Sequence, residues 1–240
     1  MFNKSEPFYD AIYAWKDYKA EAARLKQLIA AHKISTGLAL LDVACGTGGH
    51  IPHLSDTFAI EGVDLDLAML EIAKEKHADI PFHHGDMVDF DLGRQFDVVV
   101  SLFSSIGYLR TSDRLALAVA NMARHVRPGG VLIIEPFFSP EAWMPRTRAP
   151  GANLVDNPDI TIVRMTDWVR EGNLVKSTFH YLIGTAIGVE HFTETHEMAL
   201  FTFEEHRDAF TAAGMDVTHD EFGLMGRGLY IGTWAKPSDE

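Results

Sequence analysis

The chain has 240 residues, 47% hydrophobic and 23% charged, the balance of a globular protein of one large domain or one domain with an elaborated insertion. A formal net charge of −13 excludes a general nucleic-acid binder, which needs a basic face against phosphates. The single cysteine, Cys45, excludes an internal disulfide framework; with no charged-then-apolar leader and no apolar run near the ~20 residues that span a bilayer, a cytoplasmic protein without membrane contact is expected.

Residues 8–32, "FYDAIYAWKDYKAEAARLKQLIAAH", carry apolar side chains three and four apart in their second half, which predicts a helix. Strands and helices then alternate. "ALLDVA" reads as a strand, and "GHIPHLSDTF" opens a helix after a glycine turn. "AIEGVDL" is a second strand followed by the helix "LAMLEIAKEKH", and "IPFHHGDM" holds a short third strand. "FDVVVSLF" is a wholly apolar fourth strand, "RLALAVANMARHV" a helix and "GGVLIIEPF" a fifth strand. Alternation of this kind implies a parallel sheet covered on both faces.

After Pro136 the rhythm breaks. From about Ala142 to Phe203 the segments are alternating, β-branched and aromatic, with a turn at Glu171–Gly172–Asn173, the pattern of antiparallel strands. "FEEHRDAFTAAGM" returns as a helix ending near Gly214, and "RGLYIGTWA" closes as a strand. The expected organisation is one domain over 1–240. It comprises a helical cap (1–35), a ligand-binding core (36–138), an inserted antiparallel β region (139–203), and a helix and strand (204–240) that complete the sheet. The inserted region can fold over the strand ends as a substrate lid. Its strand edges also need covering, which pairing of two chains into a homodimer would do.

In an open α/β sheet, ligands bind at the carboxyl ends of the strands. The first strand delivers Asp42 there and then turns through "ACGTGGH", a loop with little side chain whose backbone can approach a ligand closely. Its spacing is neither the dinucleotide fingerprint nor a P-loop. The second strand ends at Asp64, where a carboxylate can accept from both hydroxyls of a ribose, or merely cap a helix. "HHGDM" places Asp86 and Met87 where an adenine would lie, and "SLFSSIGYL" ends the fourth strand. Four loops thus converge on one crevice.

"LDVACGTG", "GVDLDLAMLEIAK", "GDMVDF" and "FDVVVSLFSSIGYL" together resemble the class I S-adenosylmethionine-dependent methyltransferases. With "FSSIGYL", "VRPGGVLIIEP", "VREGN", "FTAAG" and "GRGLYIG", the resemblance is closest to the N,N-dimethyltransferases of dTDP-3-amino-deoxysugars in macrolide biosynthesis. It implies a Rossmann-like α/β fold: a central, mostly parallel twisted sheet with an inserted antiparallel β region. It also implies S-adenosylmethionine as cofactor, with S-adenosylhomocysteine as product. The methionyl end would lie along Ala44, Cys45 and Gly46 beside Asp42. Asp64 would take the ribose, Leu65, Asp86 and Met87 the adenine, and Phe103 would lie near the methyl donor. The family's first loop glycine is Ala44 here, tolerable if that backbone stays at negative φ. A second departure is "EPFFSPE", where the sugar enzymes carry a Trp-Trp pair.

Cys45 reads as a packing residue, since direct transfer from a sulfonium needs no nucleophilic thiol. "HHGD" and "HFTETH" lack established ligand spacing, so no metal is expected; His191 and His196 would face opposite sides of a strand. Transfer to an amine requires it unprotonated and in line with the S–CH3 bond. Tyr108, Tyr13 and Tyr9 are the candidates to orient it, a phenol of pKa ~10 being a poor base at neutral pH. A nucleotide-sugar substrate, the expected small-molecule partner, brings phosphates into an acidic protein. Arg227, between glycines, is the candidate to chelate them. Ser104 and Ser105 would line the substrate, and Phe137 and Phe138 would offer a stacking face or simply be core. The alternatives are an N- or O-methyltransferase of another small metabolite, and a non-catalytic S-adenosylmethionine-binding module.

Overall fold

The computed structural model describes residues 4–144 and 151–234. The expected cap, inserted region and closing strand extend into 1–3, 145–150 and 235–240, which lie outside the described residues. The central sheet is built from β1 (Ala39–Val43), β2 (Ala59–Asp64), β3 (Phe82–His84), β4 (Phe96–Ser101) and β5 (Val126–Ile134), joined by β10 (Met215–Asp220) and β11 (Leu229–Trp234). Its order is β10-β11-β5-β4-β1-β2-β3, parallel except at β10 and β11. The chain leaves β1 outward through β2 and β3, then returns to place β4 on β1's other side. That reversal opens a crevice at the carboxyl ends of β1 and β4, where the glycine loop emerges.

Both faces of this sheet are buried, which is why its strands read as near-continuous apolar runs. Leu41, Val43 and Val99 pack on one face against Leu115, Val119 and Met122 of α5 (Ser112–Arg124) and Phe210 of α6 (Phe203–Ala212). Leu40, Val98 and Val100 pack on the other against Leu25 and Ile29 of α2 (Tyr18–His32). Each such buried side chain contributes about 1.5–3 kcal/mol. All six residues of β4 are buried. A capping box at Thr202 and Glu205 starts α6, and Asp66 caps α4 (Leu67–Lys76) through the amides of Ala68 and Met69.

The second sheet is antiparallel, in the order β6 (Ala152–Asp156), β7 (Thr161–Glu171), β8 (Leu174–Thr185), β9 (Gly188–Ala199). The turn at Gly172–Asn173 falls between β7 and β8, with Gly172 at φ 62°.

Three local expectations change. Residues 8–32 are not one helix: a 3-10 turn (Glu6–Phe8) and α1 (Tyr9–Ile12) precede a break before α2. Asp17 accepts from the Ala20 amide, and the Lys16 ammonium is paired to Glu21, so a new helix starts at Tyr18. The break lets α1 turn across the glycine loop, where Asp10 accepts from Thr47 Oγ1 at 2.6 Å. The helix opened by "GHIPHLSDTF" is only α3 (Ile51–Leu54), ended by the turn-forming run Ser55–Asp56–Thr57. "MDVTHD" forms β10, an edge strand too short and polar to be read from the sequence.

Candidate active site

The glycine loop is held by its neighbour strand. Cys45 N donates to Val63 O at 3.1 Å, and Gly46 N donates to Asp64 Oδ2 at 2.7 Å. These anchors bend Ala44 to φ 61°, against the expectation of negative φ. A left-handed alanine costs about 1–2 kcal/mol, which the paired anchors offset. Gly46, at φ 54°, has only open space where a Cβ would point. Gly49 has the reverse constraint, since a Cβ there would meet the Tyr18 ring at 2.7 Å.

Beside this loop lies a cleft of about 110 Å³ lined by Asp64, Leu65, Asp86 and Met87. Asp64 is 8% exposed, and besides Gly46 its Oδ1 accepts from Asp66 N at 2.8 Å. Burial raises its pKa. Asp86 pairs with Arg114 of α5 at 2.9 Å, which fixes it at the cleft rim. A second, larger cleft of about 330 Å³ opens from the same loop, between the central sheet and the antiparallel one. Asp42, Cys45, Phe103, Ser104, Phe137, Tyr13 and Arg227 line it. Asp42 is buried, and no described residue donates a hydrogen bond to it. Burial and the nearby Asp64 carboxylate push its pKa up to about 7. Burial also pushes the Cys45 thiol up, which disfavours the thiolate and keeps it a packing group.

These features fit S-adenosylmethionine. A buried carboxylate short of donors accommodates the ammonium of an amino acid, a second at the end of β2 accommodates ribose hydroxyls, and the Gly46 gap gives room for a ligand between them. Among the described residues no group of three or more His, Cys, Asp or Glu side chains could hold a metal.

After β4 the chain takes two consecutive left-handed residues, Phe103 (φ 54°) and Ser104 (φ 66°). Buried Glu135 accepts from Phe103 N at 2.7 Å, and Ser104 Oγ donates to Pro136 O at 2.8 Å. Ser104 Oγ in turn accepts from Arg227 Nη1 at 2.6 Å. The Phe103 ring carries the Lys16 ammonium at 4.6 Å and the Arg227 guanidinium at 6.0 Å. Phe138, expected on the lining, stands behind it: it packs on Phe137 and Trp143, and the Arg227 guanidinium lies over its ring at 5.1 Å. Its place is to support the arginine, because Phe137 already covers the cleft side.

The opposite wall is the inner face of the antiparallel sheet, where register builds a grid. Arg164 pairs with Tyr181 and Tyr181 with Phe192; Thr166 with Phe179 and Phe179 with Glu194; Trp168 with Ser177 and Ser177 with His196. Arg164, only 8% exposed, donates to the Tyr13 hydroxyl at 3.1 Å, while its Nε has no hydrogen-bond partner among the described residues.

Both clefts share Tyr9, Ala44, Gly46, Ser105 and Tyr108. Tyr9 and Tyr108 therefore stand where the clefts meet, and Tyr13, in the larger cleft, is beside them with its ring centroid 4.7 Å from that of Tyr9. Burial raises the pKa of Tyr9 and Tyr108, so both remain phenols. Tyr108 Oη lies 2.8 Å from His196 Nδ1. Of the candidate residues, all but Phe138 line one cleft or the other. Reading the sequence missed Arg164, Trp168, His196, Tyr18, Thr47 and Arg114. The two-residue spacing of Arg164, Thr166 and Trp168 put them on one face; nothing in it said that this face was a cleft wall.

A family model described as a methyltransferase domain matches residues 40–130. The chain is 42% identical over 231 residues to the dTDP-3-amino-3,4,6-trideoxy-alpha-D-glucopyranose N,N-dimethyltransferase of Streptomyces venezuelae, covering 93% of this chain and 95% of that one. The crystal structure of Streptomyces venezuelae DesVI superposes with a TM-score of 0.90 at 40% identity, over 98% of this chain and 100% of that one. The S-adenosylmethionine-bound structure of CalS10, an amino pentose methyltransferase from Micromonospora echinaspora, gives 0.84 at 35% identity over 98% of each. With the fold, the loop and the paired clefts agreeing, the chain belongs to the class I S-adenosylmethionine-dependent methyltransferases, in the family of the dTDP-amino-sugar N,N-dimethyltransferases.

Proposed function

We propose that this enzyme transfers methyl groups from S-adenosylmethionine to the amino group of a nucleotide-linked amino sugar. The observation that carries the reading is the meeting of a smaller cleft lined by Asp64, Leu65, Asp86 and Met87 and a larger arginine-bearing cleft at Tyr9 and Tyr108. Asp64 holds the ribose; Leu65, Asp86 and Met87 hold the adenine. Asp42 takes the α-ammonium beside Ala44, Cys45 and Gly46. When bound, the cofactor supplies an electrophilic methyl group on a sulfonium. The rest is positioning by the chain: the acceptor nitrogen must lie in line with the S–CH3 bond, and effective molarity provides much of the acceleration. The raised pKa values of Tyr9 and Tyr108 leave those two hydroxyls, with Tyr13 beside them, to orient the amine, which reaches the site already unprotonated.

Arg227 and Arg164 face the larger cleft of a protein with net charge −13, and they are the groups to meet a diphosphate. The Ser104 hydroxyl is engaged at both ends, so it sets Arg227 rather than touching substrate. Ser105 lines both clefts, and Phe137 with Trp168 offers the nucleobase a stacking face. The outer face of the antiparallel sheet pairs two chains as a homodimer: Leu154 is 66% exposed, Met165, Leu182 and Val189 are exposed with it, and Ile187 in the β8–β9 turn is 96% exposed. No described helix is long and apolar enough to cross a membrane. S-adenosylmethionine and nucleotide sugars are made in the cytoplasm, and the enzyme works there without a metal.

The test is incubation of the purified enzyme and S-adenosylmethionine with a panel of dTDP-amino sugars and simple amines and phenols, read by mass spectrometry. One and then two methyl groups should appear on an amino sugar. Transfer only to a compound lacking the nucleotide would move the assignment to another small metabolite.

A further inference from the structure

Methyl transfer to an amine needs the nitrogen lone pair aimed at the methyl group. A hydroxyl beside the amine helps only if it accepts an N–H; one that donates ties up the lone pair. We infer that His196 sets this direction, holding the Tyr108 hydroxyl so that its oxygen meets the substrate amine as an acceptor. The inference rests on the amino-sugar reading above.

His196 is buried on the inner face of β9, its ring edge-on to Phe179 at 5.1 Å and to Tyr108 at 5.8 Å. Its Nε2 faces Glu194 Oε2 at 3.7 Å, two residues back on the same face of the strand. Glu194 accepts from Lys4 N at 2.6 Å, Ser5 N at 2.9 Å and Ser5 Oγ at 2.6 Å, so it is a fixed acceptor. The 3.7 Å separation is too long for a hydrogen bond, but a bare ring nitrogen there would face the carboxylate charge, so we assign the imidazole hydrogen to Nε2. Burial lowers the His196 pKa, keeping the ring neutral with one N–H. Nδ1 is then a bare lone pair, and the 2.8 Å contact is completed by the Tyr108 O–H donating to it.

A phenol has one hydrogen, and this one is committed to His196 in the wall of the larger cleft. The oxygen's remaining lone pairs are left to accept at the junction of the clefts, which Tyr108 lines and where the amine must sit. A primary amine that gives one N–H to this oxygen turns its lone pair elsewhere, toward the methyl group. The first transfer leaves a secondary ammonium; once it has given one proton to water, the secondary amine still has one N–H, and the same oxygen orients it for the second. His196 touches no reacting atom, so it is a positioning residue.

The experiment compares kcat and KM for wild type, His196→Leu, His196→Asn, His196→Gln and the double variant His196→Leu/Tyr108→Phe. Thermal midpoint and S-adenosylhomocysteine affinity serve as controls for folding. His196→Leu should lower kcat by about tenfold, the worth of one oriented hydrogen bond, with KM within about twofold. His196→Asn, whose Oδ1 lies near the place of Nδ1, should recover most of kcat, whereas Gln reaches past it and should not. The double variant should be no slower than His196→Leu, because the freed O–H that competes for the lone pair is gone. If the leucine variant fails to fold, the asparagine and glutamine pair, alike in polarity, decides the matter. A wild-type kcat in His196→Leu, or equal kcat in the Asn and Gln variants, would overturn the inference alone. A wild-type enzyme that binds S-adenosylhomocysteine but methylates no amine would remove the amino-sugar reading and the inference with it.

Discussion

The central sheet gives both faces to packing and turns its loops to the clefts, whereas the antiparallel sheet gives one face to a cleft and lines it with its strands. In the first, Leu40 and Leu41 point to opposite layers, and the clefts meet the strand ends and the loops beyond Val43, Asp64, His84 and Ser101. In the second, Arg164, Thr166 and Trp168 hang from β7 itself into the larger cleft. Loops fixed by a buried sheet suit a ligand common to many enzymes. A strand face suits one that varies, because each alternate residue can be exchanged while the backbone pairing is kept. The two halves should therefore respond separately to mutation.

The largest effect expected on the cofactor half is that of Asp64→Ala. It removes the proposed ribose acceptor and frees the amides of Gly46 and Asp66 that hold the loop. Charge-assisted hydrogen bonds are worth about 1.5–3 kcal/mol, so S-adenosylhomocysteine affinity by calorimetry should fall about 10- to 150-fold. Unchanged affinity would take Asp64 out of the site.

On the other half, Arg227→Ala should raise KM for the nucleotide sugar by about tenfold, the lower end of the same range because the guanidinium is not fully buried, and change kcat little. A phosphate contact remote from the methyl group stabilises ground and transition states alike. Lysine should rescue only in part, lacking the bidentate fork. Cofactor affinity should stay put. If it moves with KM, the two halves are not independent.

That independence also sets what the sequence reveals. Asp42, Asp64 and Asp86 sit where strands end, and strand ends are legible because an apolar run stops and a glycine or acidic residue comes next. The site of Arg164 and His196 depends on register, Trp168 against Ser177 against His196, which brings together residues far apart in the chain. No local pattern encodes such a pairing. Phe138 is left between stacking face and core by the sequence for a related reason: with Phe137 beside it, no spacing tells which ring faces the cleft and which supports Arg227.

Asp42 sharpens the comparison through pH. Burial and Asp64 push it up to about 7, so in the free enzyme it is largely protonated below that pH. Receiving an ammonium requires the ionised form. Above pH 7 the carboxylate is ready; below it, binding must expel a proton, and affinity should fall by up to about tenfold per unit. Calorimetry of S-adenosylhomocysteine between pH 6 and 8 should show this, with an enthalpy that depends on the buffer. Asp42→Asn should bind more weakly at pH 8 and flatten the profile. A pH-independent wild type would mean that Asp42 does not titrate on binding.

The smallest effect belongs to Ala44, the left-handed residue at the start of the glycine loop. Ala44→Gly relieves about 1–2 kcal/mol of backbone strain. Against this stands glycine's greater freedom in the unfolded chain, worth about 0.4–1 kcal/mol. The balance favours a stabilisation of about 0.5–1 kcal/mol, a rise of about 2 °C in the thermal midpoint for a chain of this size. Ala44→Val should move it the other way by more, since a β-branched side chain is poorly tolerated at positive φ. The substrate half supplies the control: KM for the nucleotide sugar should be unaltered in Ala44→Gly, because Arg164 and Arg227 are anchored to Tyr13 and Ser104, not to the loop. A lower midpoint for the glycine variant would show that the anchors from Val63 and Asp64 hold Ala44 without strain.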